Sequence, residues 1–235
     1  MNYPKIKFLI NKEKDLEVFN SFNNETEYNP ETLNWAFLNK YPELLKYKKN
    51  TCLEINEIEL INFINSIYEK NKETINTNIL KYEKNWELIE EAFYNLVNNI
   101  FNSCSWPNGK YIAYLTIWGM YPRFLDDKTF CIPYLHKNEK YVNVVIAHEM
   151  LHFVFYDYFY KKYPEYNNSE YNFFVWNISE IFNSLIQNSN EWIKVFKEQS
   201  MTYLQHDIII NKIRDLKINN IDLLIEKIIS EVNNI

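Results

Sequence analysis

The sequence predicts an α+β fold, mostly helical with a small sheet, and three observations carry that reading. Apolar residues recur at helical spacing through 55–102 and again beyond residue 169. Three short runs, 5–10, 110–118 and 129–135, are instead rich in β-branched and aromatic residues, as strands are. Between the last strand and the later helices lies an almost wholly apolar segment, Tyr141 to Asp157, which reads as a buried helix. The small sheet is expected to pack on that helix.

Taken in order, Lys5 to Ile10 is a short strand and Asp15 to Phe22 a short helix. Pro30 suits a first helical turn, and Glu31 to about Lys46 continues the helix with a break at Pro42. From Ile55 to about Asn102 the pattern is helical, with Leu60, Phe63, Ile64 and Ile67 on one face and Trp86, Phe93 and Leu96 further on. The character changes at Ser103, where Trp106-Pro107-Asn108-Gly109 is turn chemistry. A helical region 1–102 and a second region 103–235 follow from that change. Thr129 to Leu135 contains Pro133, which lacks a ladder donor and predicts an edge strand. Such an edge suits either addition of an extended peptide or a plain hairpin that supports the next helix. After a polar connection at 161–168, helices are expected over 169–188, 191–198, 204–216 and 221–232.

Composition narrows the function. Net charge is −6 and the only arginines are Arg123 and Arg214, so no basic stripe exists for nucleic acid. Cys52, Cys104 and Cys131 are odd in number and form no CxxC pair, so they read as free thiols in a reducing compartment. No secretory h-region and no run of about 18 apolar residues is visible, so a cytoplasmic protein without a membrane span is expected. With only two glycines, tight turns fall to Asn and Asp.

The chemistry concentrates in His148-Glu149-Met150-Leu151-His152. Residues at i and i+4 share a helix face, so both imidazoles can address one ion. Glu149 then stands where it can take a proton from a water at that ion. Val144, Val145, Ile146, Ala147, Met150, Leu151, Phe153, Val154 and Phe155 surround the three polar residues. Burying them without partners costs several kcal/mol, on the order of 2–7 per neutral group. A metal supplies one partner for all. The alternative is two core histidines bonded to backbone with Glu149 in an ion pair, which must satisfy three groups separately.

A catalytic zinc site needs a third protein ligand. A metzincin would place glycine and histidine at the positions held by Phe155 and Tyr158, which excludes that branch. The stretch 110–190, through its strands, the pentad and Asn177-Ile178-Ser179-Glu180-Ile181-Phe182-Asn183, resembles the gluzincins, the thermolysin-like zincin metallopeptidases. The resemblance implies a zincin-like domain over 103–235 holding one zinc per chain. In it His148 and His152 are zinc ligands, Glu149 is the general base and Glu180 is the third ligand. Asn177, Asn183 and Ser184 share the Glu180 face and are placed to orient it or an imidazole. The family carries an aspartate four residues after the ligand glutamate, where this chain has Ser184. Aligning Glu180 with that aspartate would leave Trp176 as ligand, which cannot bind zinc, so Glu170 and Asp157 stand as alternatives to Glu180. Tyr203 and His206 are the expected donors to a developing oxyanion, with Asp207 orienting His206 or capping a helix. His136 is expected to be exposed.

The implied activity is zinc-dependent hydrolysis of peptide bonds in peptides or proteins. The rival is a catalytically weak, zincin-like metal-binding or scaffold protein. A zinc protease of the DNA-repair kind would bring a third histidine soon after the pentad, a basic surface and a zinc ribbon, and the sequence has none of these.

Overall fold

The β-branched runs pair into one mixed sheet. In this computed structural model, which describes residues 3–23, 30–102, 105–214, 216 and 220–234, β1 (Ile6–Ile10), β4 (Tyr111–Thr116) and β6 (Thr129–Pro133) lie parallel, with β5 (Arg123–Phe124) antiparallel beyond β6. The order is β1-β4-β6-β5. The edge strand expected at Pro133 is therefore corrected, while a hairpin does form, between β5 and β6. β6 has neighbours on both sides, and its link to β4 is parallel. Pro133 is tolerated because it ends the strand, where Tyr134 N already donates to Thr116 O. A second, two-stranded hairpin, β2 (Lys48–Lys49) with β3 (Cys52–Leu53), turns through Asn50 at φ 52°.

The chain divides into two compact units that interleave along it. A sheet unit comprises Pro4–Lys84 and Gly109–Val142, and a helical unit comprises Met1–Tyr3, Asn85–Asn108 and Asn143–Ile235. Neither is a single stretch such as 1–102 or 103–235.

In the sheet unit, α1 (Lys12–Asn23), α2 (Pro30–Lys40), α3 (Glu57–Lys70) and most of α4 (Lys72–Glu87) accompany the sheet. A 3-10 turn, Pro42–Tyr47, marks the break expected at Pro42. Asn56 caps α3 by accepting from Glu59 N at 2.9 Å. Aromatic rings form the core: Phe37 meets Trp118 edge-on at 5.0 Å and Phe19 lies 5.5 Å from Trp118. Gly119 permits close approach of α2, because a Cβ there would stand 2.8 Å from the Ala36 carbonyl oxygen. His136, expected to be exposed, is half-buried. Its ring stacks on Tyr141 at 5.1 Å and Nδ1 lies 2.7 Å from Asn138 O.

In the helical unit, α5 (Glu90–Ile100) packs with α8 (Asn190–Phe196), Phe93 meeting Trp192 at 5.8 Å. α6 (Glu139–Lys162) enters this unit at Asn143, and α7 (Asn172–Gln187), α9 (Asp207–Arg214) and α10 (Ile221–Val232) complete it. Phe155 of α6 and Phe182 of α7 lie 4.9 Å apart in the core. Tyr158 OH donates to Asp222 at 2.5 Å, tying α6 to α10. Neither Cys52 nor Cys131 is in a disulfide, and Cys104 lies outside the described residues, as does part of the helix expected to reach 216. Among the described residues no helix is long and apolar enough to cross a membrane.

Candidate metal centre

The apolar segment around the pentad forms the centre of a 24-residue helix, α6. Asn138 starts it by accepting from Lys140 N at 3.1 Å, and Glu139 at its start with Lys161 and Lys162 at its end complement the helix dipole. Ile146, Ala147, Met150, Leu151 and Phe155 are fully buried. This makes the middle of the helix apolar nearly all round, so Glu149 and His152 face protein rather than water.

One turn apart on α6, His148 and His152 bring their Nε2 atoms to 3.0 Å. Glu180 of α7, 2% exposed, closes the triangle: Oε2 is 3.1 Å from His148 Nε2 and Oε1 is 3.3 Å from His152 Nε2. Asp157 pairs instead with Lys161 at 2.6 Å, and Glu170 is exposed. The cluster that the fold assembles is thus His148, His152 and Glu180.

Gln187, which the sequence reading did not single out, lies behind His148. Its Oε1 is 2.7 Å from His148 Nδ1, and its Nε2 donates to Val144 O at 3.1 Å. Asn183 Nδ2 donates to His148 O at 3.2 Å. Ser184 is buried, and its carbonyl accepts from Asn188. Glu180, Asn183 and Gln187 stand at i, i+3 and i+7, one face of α7. That periodicity was the available signal for Gln187.

Charge decides what the triangle can hold. With Nδ1–H given to Gln187, a neutral His148 turns its Nε2 lone pair toward the Glu180 carboxylate, and two acceptors about 3 Å apart repel. A positive charge must lie between them, either a proton or a cation. In the protonated case burial opposes the imidazolium, but Glu180, with Glu149 and Gln187, outweighs it and lifts His148 to about 9. Burial likewise opposes the Glu180 carboxylate, and the two imidazoles overcome it, holding its pKa well below the usual carboxylate range. The donor set also fits a metal ion. Ligands at about 2.1 Å from an ion, at tetrahedral angles, stand about 3.4 Å apart, close to the spacing of these three atoms. A His-His-Glu set of nitrogen and oxygen donors suits a borderline divalent cation.

Of the other residues singled out in the sequence, Glu149 and His206 stand within electrostatic reach of this cluster. Glu149 is 5% exposed and near enough to His148 to help raise its pKa. His206 is buried in a 3-10 turn, Leu204–His206, and its Nε2 lies 2.7 Å from Asn177 Oδ1. Asn177 Nδ2 donates to Phe173 O, which fixes the amide and makes His206 Nε2 the donor. Burial lowers the His206 pKa, against the pull of Glu180 and Asp207. Tyr203 is exposed, with its ring 5.2 Å from Trp176 and 5.6 Å from His206. Asp207 accepts from Thr202 Oγ1 at 3.0 Å and opens α9.

No family model, curated protein or solved structure matches this chain.

Proposed function

We propose that this chain is a zinc-dependent metallopeptidase of gluzincin type. The observation that carries the proposal is the convergence of His148, His152 and Glu180 on one point, with the buried Glu149 beside the first histidine. His148, His152 and Glu180 would hold the zinc, which would supply Lewis acidity toward a carbonyl and make bound water acidic near neutral pH.

The chain's own residues do the rest. His148 and His152 present Nε2 lone pairs, and Glu180 offsets part of the cationic charge. Glu149, the pentad's carboxylate outside the ligand set, takes the water's proton as oxygen adds to the carbonyl carbon. It then delivers that proton to the departing amine nitrogen as the C–N bond breaks. No covalent link to the enzyme forms. Tyr203, and His206 once its Nε2–H turns from Asn177, are the candidate donors to the oxyanion, and substrates are peptides or short proteins.

The test is metal content together with turnover. Purified protein should hold about one zinc per chain, as one three-ligand site implies, and His148→Ala should lose it. Glu149→Gln should keep the zinc and lose cleavage of a fluorogenic peptide mixture. Cleavage by Glu149→Gln at the parent rate would overturn the proposal, even with zinc bound.

A further inference from the structure

We infer that Gln187 is a positioning residue that sets the tautomer of His148 and so presents Nε2, and not Nδ1, to the metal. The inference rests on the metal-site reading above and adds a residue that the pentad does not specify.

An imidazole has two nitrogens, and a neutral ring carries its proton on only one. Which nitrogen can bind a cation therefore depends on what the other one meets. At His148 the Nδ1 side meets Gln187 Oε1 at 2.7 Å. A carboxamide is ambiguous by itself, because either its oxygen or its nitrogen can face the ring. Here the ambiguity is removed. Gln187 Nε2 donates to Val144 O at 3.1 Å, so a flipped amide would set two carbonyl oxygens against each other. The oxygen must face Nδ1, and Nδ1 must carry the proton. The Nε2 lone pair is then left for the space shared with His152 and Glu180.

The geometry also clamps the ring from both edges. Glu180 and Gln187 lie two turns apart on the same face of α7, one opposite Nε2 and the other opposite Nδ1. Gln187 is 3% exposed, so water does not compete for Nδ1. A partner of this kind fixes ligand orientation before the ion arrives, and losing one typically weakens metal binding by about 10–100-fold. The support comes from a neutral amide three residues beyond Ser184, the position where the sequence lacks an aspartate.

The test compares two substitutions that each remove buried contact between α6 and α7. Gln187→Leu removes the Nδ1 partner and the bond to Val144 O. Ser179→Ala removes the bond to Tyr156 OH and leaves both His148 ring nitrogens untouched. Zinc affinity is read by competition with a chromogenic chelator, and the His148 Nδ1–H resonance is read by ¹⁵N-edited NMR of the zinc-loaded protein. Gln187→Leu should weaken zinc by about 10–100-fold and lose the slowly exchanging Nδ1–H signal. Ser179→Ala should bind within about threefold of the parent and keep that signal, and folding of each metal-free variant is checked by circular dichroism. Equal affinity in Gln187→Leu and the parent, or equal weakening in both variants, overturns the inference. A Gln187→Leu chain too unstable to fold is replaced by Gln187→Met, read against the same outcomes. A parent protein that binds no zinc would instead sink the metal-site reading itself.

Discussion

Each of the two units buries a carboxylate almost completely, and the two are held in opposite ways. Glu180, in the helical unit, faces two imidazoles, and its pKa is driven well below the usual range despite burial. Asp15, in the sheet unit, is 1% exposed and faces only neutral donors: Thr116 Oγ1 at 2.5 Å, Tyr68 OH at 2.6 Å and Ile117 N at 3.4 Å. Burial wins there, and its pKa is pushed up to about 7. Equal burial thus gives opposite shifts, because hydrogen bonds from neutral groups only partly replace water, whereas cationic partners more than replace it. Asp15 is a fastener between α1, α3 and the end of β4, and Glu180 is half of a charge-binding site.

The largest effect should come from removing Glu180. In Glu180→Ala the two buried imidazoles lose their counter-charge, and zinc affinity should fall by more than the ~100-fold upper end seen for residues behind a ligand. The metal-free protein should also lose about 3–5 kcal/mol, as when one member of a buried pair is deleted. Chelator competition and urea unfolding read the two losses. Zinc affinity within threefold of the parent would break the contrast, because Glu180 would then be an ordinary buried acid.

Next comes Asp15→Asn, with the opposite sign. The folded-state pKa of Asp15 lies above its ordinary 3.8, so the folded protein holds a proton that the unfolded chain releases. The stability this group supplies is complete below the unfolded value and is lost as pH rises toward about 7. Asparagine has no such proton to lose. Relative to the parent, Asp15→Asn should therefore gain about 3–4 kcal/mol between pH ~4 and pH ~8. Paired thermal melts across that range check it, and a parent-to-variant difference that stays flat with pH would show that Asp15 is ionised throughout.

The same contrast explains what could be read from the sequence. His148, Glu149 and His152 stood out because a helix of known period fixes their geometry locally, and Glu180 came only as what the likeness to the gluzincins implied, with Glu170 and Asp157 open beside it. Gln187 obeys the same periodicity from Glu180, but an amide carries no charge signal and passes as a polar helix residue. Asp15 reads as a solvated acid near the start of a helix, since its donors lie 53 and 101 residues away. The helices of 57–100 were legible from period, and the three main strands from their β-branched and aromatic composition. The parallel pairing of β4 with β6 was not, because composition identifies a strand without naming its partner. The Asn50 turn of the β2–β3 hairpin was hidden because two-residue strands have no period to detect.

The smallest effect sharpens the comparison by exchanging one positive charge for another. Below its pKa of about 9, His148 keeps a proton where the proposed zinc must go, and Glu180, shifted far down, takes none near neutrality. Zinc must therefore displace the His148 proton. Apparent affinity should fall at least about tenfold for each unit of pH below 9, and at least about one proton should leave per zinc at pH 7. Calorimetry in buffers of differing ionisation enthalpy counts that proton. The metal-free protein should behave inversely. A histidine with a raised folded pKa gives stability that is complete below the ordinary 6.5 and lost as pH rises through about 9. The metal-free melting temperature should thus decline over the interval in which zinc's added stabilisation grows. Release of no proton would mean that the imidazoles and Glu180 do not share their charge as the 3.0–3.3 Å triangle requires.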